Sequence, residues 1–345
     1  MIYLLKIKKN FIPILLLFFI LSLLLFSTST LNAAKSGLVM WATSVVPSLF
    51  PFLVATELLL NTQIPYLLGT LFKNVMKPLF NIQGEGAFAF ILGVICGYPI
   101  GAKIICEFRK KNTLSKLECE RLLGFINNSN PMFILGIIGS CFYGSQIIGI
   151  LLLISHILSS ITTGIFFRFW KYTNKISNRT VSNIKDSYNT INKSNFITLL
   201  SNSIVSSVNS IFMIGGFIVL FSVFISILNS SNILNILVLM LSPFFRLIHI
   251  PTIFISPLIT GMLEITNGIH IISSISIKAL SINIILTSFI LGTGGISVFL
   301  QILSIVSKTD LSIKPYIYGK LLQSILSAFY TFLLIKIFPI FNFNL

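Results

Sequence analysis

The sequence predicts an all-α, polytopic membrane protein built as an inverted-topology repeat, with two re-entrant helical hairpins and broken transmembrane helices. Three observations predict this. The first is composition: of 345 residues, 55% are hydrophobic and only 9% charged, with a mean hydropathy of +0.96, more apolar surface than a water-soluble fold hides. The second is a pair of interrupted apolar runs. Residues 84–106, GEGAFAFILGVICGYPIGAKIIC, are broken by Gly97-Tyr98-Pro99, and about 165 residues later ISPLITGMLEITNGIHII is interrupted around Gly261 and Gly268. A chain in lipid must satisfy its backbone polar groups internally, so such breaks are tolerated only where protein or a wet cavity covers them. Two in matching places point to a transporter binding site. The third observation is the placement of positive charge, which fixes how the broken runs sit.

In chain order, KIKKN precedes a first helix over 11–32. The following STSTLNAA imitates a signal-peptide cleavage site near Ala34, but the apolar stretch is long enough to span and the rest of the chain is membrane too, so a retained helix is expected. A second helix covers 38–60, and an amphipathic stretch with Lys73 and Lys77 covers 64–82. After the first broken run comes the charged loop FRKKNTLSKLECER, with Ser115-x-x-Glu118 as a capping box for a helix over 120–143. That helix contains Asn127-Asn128-Ser129-Asn130-Pro131, and another follows over 146–169. The second half brings a helix over 196–228, an amphipathic piece over 232–248, the second broken run, a helix over 284–306 interrupted by Gly292-Thr293-Gly294-Gly295, and a last helix over 316–338. The whole of 1–345 is one membrane domain, divided into a first repeat at 38–169, a basic cytoplasmic loop at 170–195 and a second repeat at 196–338.

With the N-terminus in the cytoplasm and both broken runs treated as hairpins, 20 Lys and Arg residues face inside and four, Lys35, Arg246, Lys278 and Lys336, face outside. Treated as full spans, they would split nine inside to 15 outside, against the positive-inside rule. Hairpins are therefore expected, one entering from each side. Three echoes agree with a repeat: Pro78-Leu79-Phe80 with Pro243-Phe244-Phe245, Gly97 with Gly261, and Asn127–Asn130 with Gly292–Gly295.

The candidate binding residues gather at the breaks. Gly97, Tyr98, Pro99 and Gly101 form the first turn, where unwound backbone and a half-helix start suit an anion, and Lys103 offers either a full charge or a side chain that snorkels to the surface. Asn127, Asn128, Ser129 and Asn130 form a polar, helix-breaking cluster. Glu264, Thr266 and Asn267 mark the second hairpin, where a carboxylate at membrane depth is costly; Glu264 is expected to hold a coupling proton or sodium ion, or to pair with Lys103. Gly292, Thr293, Gly294, Gly295 and Ser297 expose bare backbone, with Gln301 one turn below. Glu57 reads as a solvated interface carboxylate. The net charge of +16 sits in short loops and is topological rather than a nucleic-acid footprint. Cys96, Cys106, Cys119 and Cys141 lack CxxC spacing, and His156, His249 and His270 are scattered, so neither a metal nor another cofactor is expected. No catalytic constellation is present and an enzyme is not expected. The lipid bilayer and a small organic anion are the expected partners, nucleic acid is not, and a homo-oligomer is compatible with the sequence.

PSLFPF (47–52), GYPIGAK (97–103), NNSNPMFILGIIG (127–139), GMLEITNG (261–268) and GTGGISVFLQ (292–301), in this order, resemble the YlbJ-type sporulation integral membrane proteins of the gate-domain, nucleoside-recognition group. The resemblance implies a place in the outer membrane around the forespore and movement of dipicolinic acid from mother cell to forespore. It further implies that the hairpin tips and the unwound helices that follow them hold the solute. The Gln-x-x-Glu hairpin motif of concentrative nucleoside transporters is missing from the first half, which argues against nucleoside selectivity.

Overall fold

The structure, a computed structural model, describes residues 2–171, 196–247, 250–275, 280–338 and 340, with backbone alone for residues 2–12 and Ser48. The expected basic loop beyond Lys171, and Lys278, lie outside the described residues. Every element among the described residues is helical.

Helix α1 (Ile2–Leu25) turns at Phe26 into α2 (Ser27–Met40), which continues through a π-helical turn, Trp41–Val45, into α3 (Val46–Leu60). The division between the first two helices is not where it was expected. The 98° bend falls between Pro13–Leu25 and Ser27–Val45, and Ala33, Ala34 and Lys35 are helical. Ala and Lys are strong helix formers, so a signal-like composition there makes no turn. The α2–α3 rod packs along α9 (Phe196–Ser230). Small residues allow that approach: a β-carbon on Gly37 would lie 3.0 Å from Ser222 Oγ, and one on Gly215 would lie 2.6 Å from the Trp41 ring, whose Nε1 donates to Ile211 O at 3.0 Å.

One succession of elements then occurs twice. In the first half it is α4 (Ile64–Phe80), the hairpin α5 (Gly86–Cys96) and α6 (Ile100–Lys110), then α7 (Lys116–Leu123), a non-helical stretch, the π-helix Phe133–Phe142, and α8 (Gln146–Phe167). In the second it is α10 (Ile233–Leu247), the hairpin α11 (Ile255–Leu263) and α12 (Ile265–Ser273), then α13 (Leu280–Thr293), α14 (Gly295–Val306) and α15 (Lys314–Ile337). The capping box forms at α7: Ser115 Oγ accepts from Glu118 N, and Glu118 Oε2 accepts from Ser115 N at 2.9 Å. The other Glu118 oxygen accepts from Gln83 N at 2.9 Å and so fixes the entry to the first hairpin. This cap starts the helix at Lys116, earlier than expected, and the chain leaves helical geometry at Gly124, against which the Phe167 ring packs.

The halves interlock. α15 packs on both α13 and α8, α14 lies against α6 and α9, and α12 touches the π-helix Phe133–Phe142. Among the described residues four helices are long and apolar enough to cross a membrane: Gln146–Phe167, Phe196–Ser230, Leu280–Val306 taken through its break, and Lys314–Ile337. The bent pair at Phe26 makes five if it counts as one span. Large apolar side chains such as Leu239, Met240, Leu71 and Phe212 are exposed on the outside, as a surface meeting acyl chains requires.

Candidate functional site

Each hairpin tip rests on the break of the helix that follows it. At the first tip Gly97 is left-handed, with φ 79°, and a β-carbon there would lie 2.8 Å from Asn130 N. Only glycine meets both demands. Tyr98 N donates to Asn128 O at 2.8 Å, and Asn127 Oδ1 accepts from Ala102 N at 2.8 Å, satisfying a first-turn N–H of α6 that has no partner in its own helix. Asn128 Nδ2 donates to Ser160 Oγ at 3.0 Å and to the carbonyls of Phe125 and Ile126. Ser129 N donates to His156 Nε2 at 3.1 Å, and Asn130 Oδ1 accepts from Phe133 N at 2.6 Å, capping the next helix. The polar run thus breaks its helix because its side chains replace the lost ladder.

The second tip is Glu264 itself. It ends α11 in extended geometry and caps α12, with Oε1 accepting from Thr266 N at 3.1 Å and Oε2 from Asn267 N at 2.8 Å. Gly261 and Gly268, expected at interruptions, are inside the two arms and pack on each other: a β-carbon on Gly268 would lie 2.1 Å from Gly261 Cα. The glycines serve close approach of the arms, and the break falls three residues beyond Gly261. Glu264 is 6% exposed and is paired with no Lys or Arg among the described residues. The expected alternative, pairing with Lys103, is not what the structure has. Lys103 pairs with Glu57 and donates to Ser206 Oγ at 2.9 Å and Ser210 Oγ at 3.0 Å. Glu57 is likewise not a solvated interface carboxylate; it joins α3 to the first hairpin, and Ser206 Oγ donates to it at 3.2 Å.

Both tips face one cavity of about 990 Å³. Gly97, Tyr98 and Asn130 reach it from the first half, and Glu264, Thr266, Ser297 and Gln301 from the second. Its walls are mostly apolar, from Val39, Met40 and Val45 of the α2–α3 rod, Phe133 and Phe142 of the π-helix, and Ile214 and Ile218 of α9. Lys35 and Glu264 are its charged lining residues, and Lys35 is exposed, as is Cys141. The other expected residues lie behind this surface. Pro99, Gly101, Asn127, Asn128 and Ser129 shape the first tip and its bed. Asn267 supplies a capped N–H, Gly292 packs on the Ser324 backbone, and Thr293, Gly294 and Gly295 form the break under the second tip, where Thr293 Oγ1 accepts from Gly295 N at 3.3 Å. Among the described residues no group of His, Cys, Asp or Glu is arranged to hold a metal.

Sequence reasoning missed Lys35, taken for a loop charge, and the aromatic wall at Phe133 and Phe142. It also missed a buried polar chain behind the first tip. Lys320, counted among the cytoplasmic basic residues, is 5% exposed and donates to Gln323 Oε1 at 2.9 Å, while Gln323 Nε2 donates to Asn128 Oδ1 at 2.7 Å. Lys and Gln three apart in an otherwise apolar helix were the signal.

A family model described as nucleoside recognition, the gate family, matches residues 42–165. The sporulation integral membrane protein YlbJ of Bacillus subtilis (strain 168) is 33% identical over 342 residues, covering 96% of this chain and 84% of its own. The chain belongs to the YlbJ family. No solved structure matches it. The YlbJ likeness runs through both hairpins and both breaks, whereas the nucleoside-recognition match ends within α8 and takes in the first of each.

Proposed function

We propose that this YlbJ-family chain carries a small organic anion across a membrane, with dipicolinate, moved from mother cell to forespore, as the favoured solute. The observation that carries the reading is the meeting of both hairpin tips at one cavity of about 990 Å³, the size of a small-molecule site. Broken helices around a shared mid-depth cavity are what alternating access needs, because the break exposes backbone groups to a solute and gives the tips something to part from. In this reading the second half is an inverted copy of the first, the membrane is the outer forespore membrane, the N-terminus and the basic loops are in the cytoplasm, and the Lys35 end of the cavity opens on the far side.

The charges give the mechanism its form. Lys35 at the exposed end draws an anion in. Glu264 repels it, and its carboxylate is already held by two N–H groups, so an anion beside it needs a proton or sodium ion to neutralise the pair. Anion and cation entry are then coupled. The aromatic faces of Tyr98, Phe133 and Phe142 suit a planar ring. A nucleoside is the second reading, favoured by the description of the matching gate family and by the amides of Asn130 and Gln301 at the cavity.

Purified protein in liposomes is expected to show saturable dipicolinate flux driven by a proton or sodium gradient. Glu264→Gln should lose the gradient dependence, and Gln301→Leu should lower flux about tenfold, the cost of losing one or two buried hydrogen bonds to the solute. Folded protein with no dipicolinate flux would overturn the reading, and inhibition by uridine at lower concentration than by dipicolinate would replace it with the nucleoside one.

A further inference from the structure

Lys320 lies on α15, one turn after Tyr316, and the two side chains are 5% and 1% exposed. An ammonium carries three donors, yet among the described residues this one has a single acceptor, the neutral amide oxygen of Gln323, and no carboxylate within ion-pair distance. The acceptor cannot be exchanged for a better one. Gln323 Nε2 is committed to Asn128 Oδ1, and Asn128 Nδ2 to Ser160 and two carbonyls, so the amide oxygen is what faces the lysine. The phenol oxygen of Tyr316 is buried and has no hydrogen-bond partner among the described residues. A buried cation without a counter-charge and an orphaned phenol are both costly, and the structure sets them together.

Both point at the break between α13 and α14. A β-carbon on Gly294 would lie 3.4 Å from Tyr316 Oη and 3.8 Å from Lys320 Cε, with nothing nearer, so the glycine leaves an atom-sized space between them. Gly294 is left-handed, φ 77°, and is the N-cap of the twelve-residue α14, whose positive end opens on the same space. A β-carbon on the next residue, Gly295, would lie 3.2 Å from the Ile265 side chain, and Ile265 lines the cavity, so the break lies just behind the cavity wall.

We propose that Lys320 and Tyr316, at the Gly294 break, form a second anion subsite that takes a carboxylate of the solute when it passes the Tyr98 tip. The proposal rests on the anion reading above and adds a second positive charge to that of Lys35, which shares the cavity with the Glu264 carboxylate. A dicarboxylate would thus be held in two positions along its path, first near Lys35 and then at Lys320.

The test is equilibrium binding of dipicolinate, and of the uncharged, like-shaped pyridine-2,6-dicarboxamide, to the full-length protein in lipid nanodiscs. Wild type is expected to prefer the dicarboxylate. Lys320→Gln should abolish most of that preference, weakening dipicolinate about tenfold or more while leaving the diamide within about twofold, and Lys320→Arg should restore it. Tyr316→Phe, which keeps the lysine, should weaken dipicolinate about threefold to tenfold, and it decides the matter should Lys320→Gln not fold. Loss of both ligands to the same extent in the lysine variant, or unchanged dipicolinate affinity in either folded variant, would overturn the subsite while leaving the transport reading in place. A wild type that binds neither ligand would overturn both.

Discussion

Gly97 and Glu264 hold corresponding places at the two tips by different chemistry. Gly97 is there for conformation, with φ 79° and Asn130 N where a side chain would begin. Gly97→Ala should cost about 1–3 kcal/mol from the positive-φ, extended backbone alone and displace the tip from its bed. The expected outcome is a lower melting temperature together with flux reduced at least as much as in a cavity variant; unchanged flux would show that the tip need not dock. Glu264 is there for charge, and it caps a helix whose start no propensity rule marks. At this scale, residues whose reason is local were legible in the sequence: a glycine and proline within an apolar run, a carboxylate at membrane depth, a cluster of amides. Residues whose reason is a distant partner were not. Lys103 meets Glu57 on another helix, and nothing near either residue announces the pair. Lys320 was counted with Lys308 and Lys314 as a cytoplasmic charge, yet the helix that begins at Lys314 carries it inside.

At the scale of elements, the two hairpins were visible as broken runs and Glu264 as the tip of the second, but Gly261 and Gly268 were read as interruptions when they lie inside the arms. The glycines do other work, letting the arms of α11 and α12 touch backbone to backbone. Gly268→Ala puts a methyl group where Gly261 already is and is expected to destabilise the protein by about 1–3 kcal/mol, as overpacking does. A thermal melt in detergent checks this, and an unshifted melt would mean the arms can part freely. The capping box over Ser115 and Glu118 was fully legible because its spacing is local. The π-helical geometry of Phe133–Phe142 was not, since its register is set by packing on α8 rather than by composition. The bend at Phe26 escaped because the apolar run before it and the polar Ser27-Thr28-Ser29-Thr30 after it read as one helix over 11–32, with no Gly or Pro to mark the turn.

Across the whole molecule, the end of α6 is fastened to the loop before α15. Arg109 donates to Asp310 from Nε at 2.8 Å and from Nη2 at 2.9 Å, and Lys116 stands 3.8 Å from the same carboxylate. The Arg109 guanidinium holds the Asp310 carboxyl below the usual carboxylate range. A depressed carboxyl stabilises the folded state above its ordinary value and loses that contribution as pH falls through the folded one, here below about pH 4. Both partners are partly exposed, so the bidentate pair is worth no more than about 1 kcal/mol. Wild type should therefore melt slightly above Asp310→Asn at pH 7, with the gap closing as pH falls through the depressed carboxyl range or in about 1 M salt; a gap that persists once the carboxyl is protonated would mean Asp310 acts by something other than its charge. None of this was readable beforehand, because the two residues belong to different halves and meet only after the halves interlock.

The Lys103–Glu57 pair has a mechanical consequence. The first hairpin is bolted to the α2–α3 rod and to α9 through Lys103, Glu57, Ser206 and Ser210, while among the described residues α11 and α12 make no hydrogen bond to that rod or to α9. The protein is built like a vice with one fixed jaw. If its tips part to release a solute, the second hairpin is the jaw that travels, and the resistance it meets is mainly that of greasy surfaces sliding.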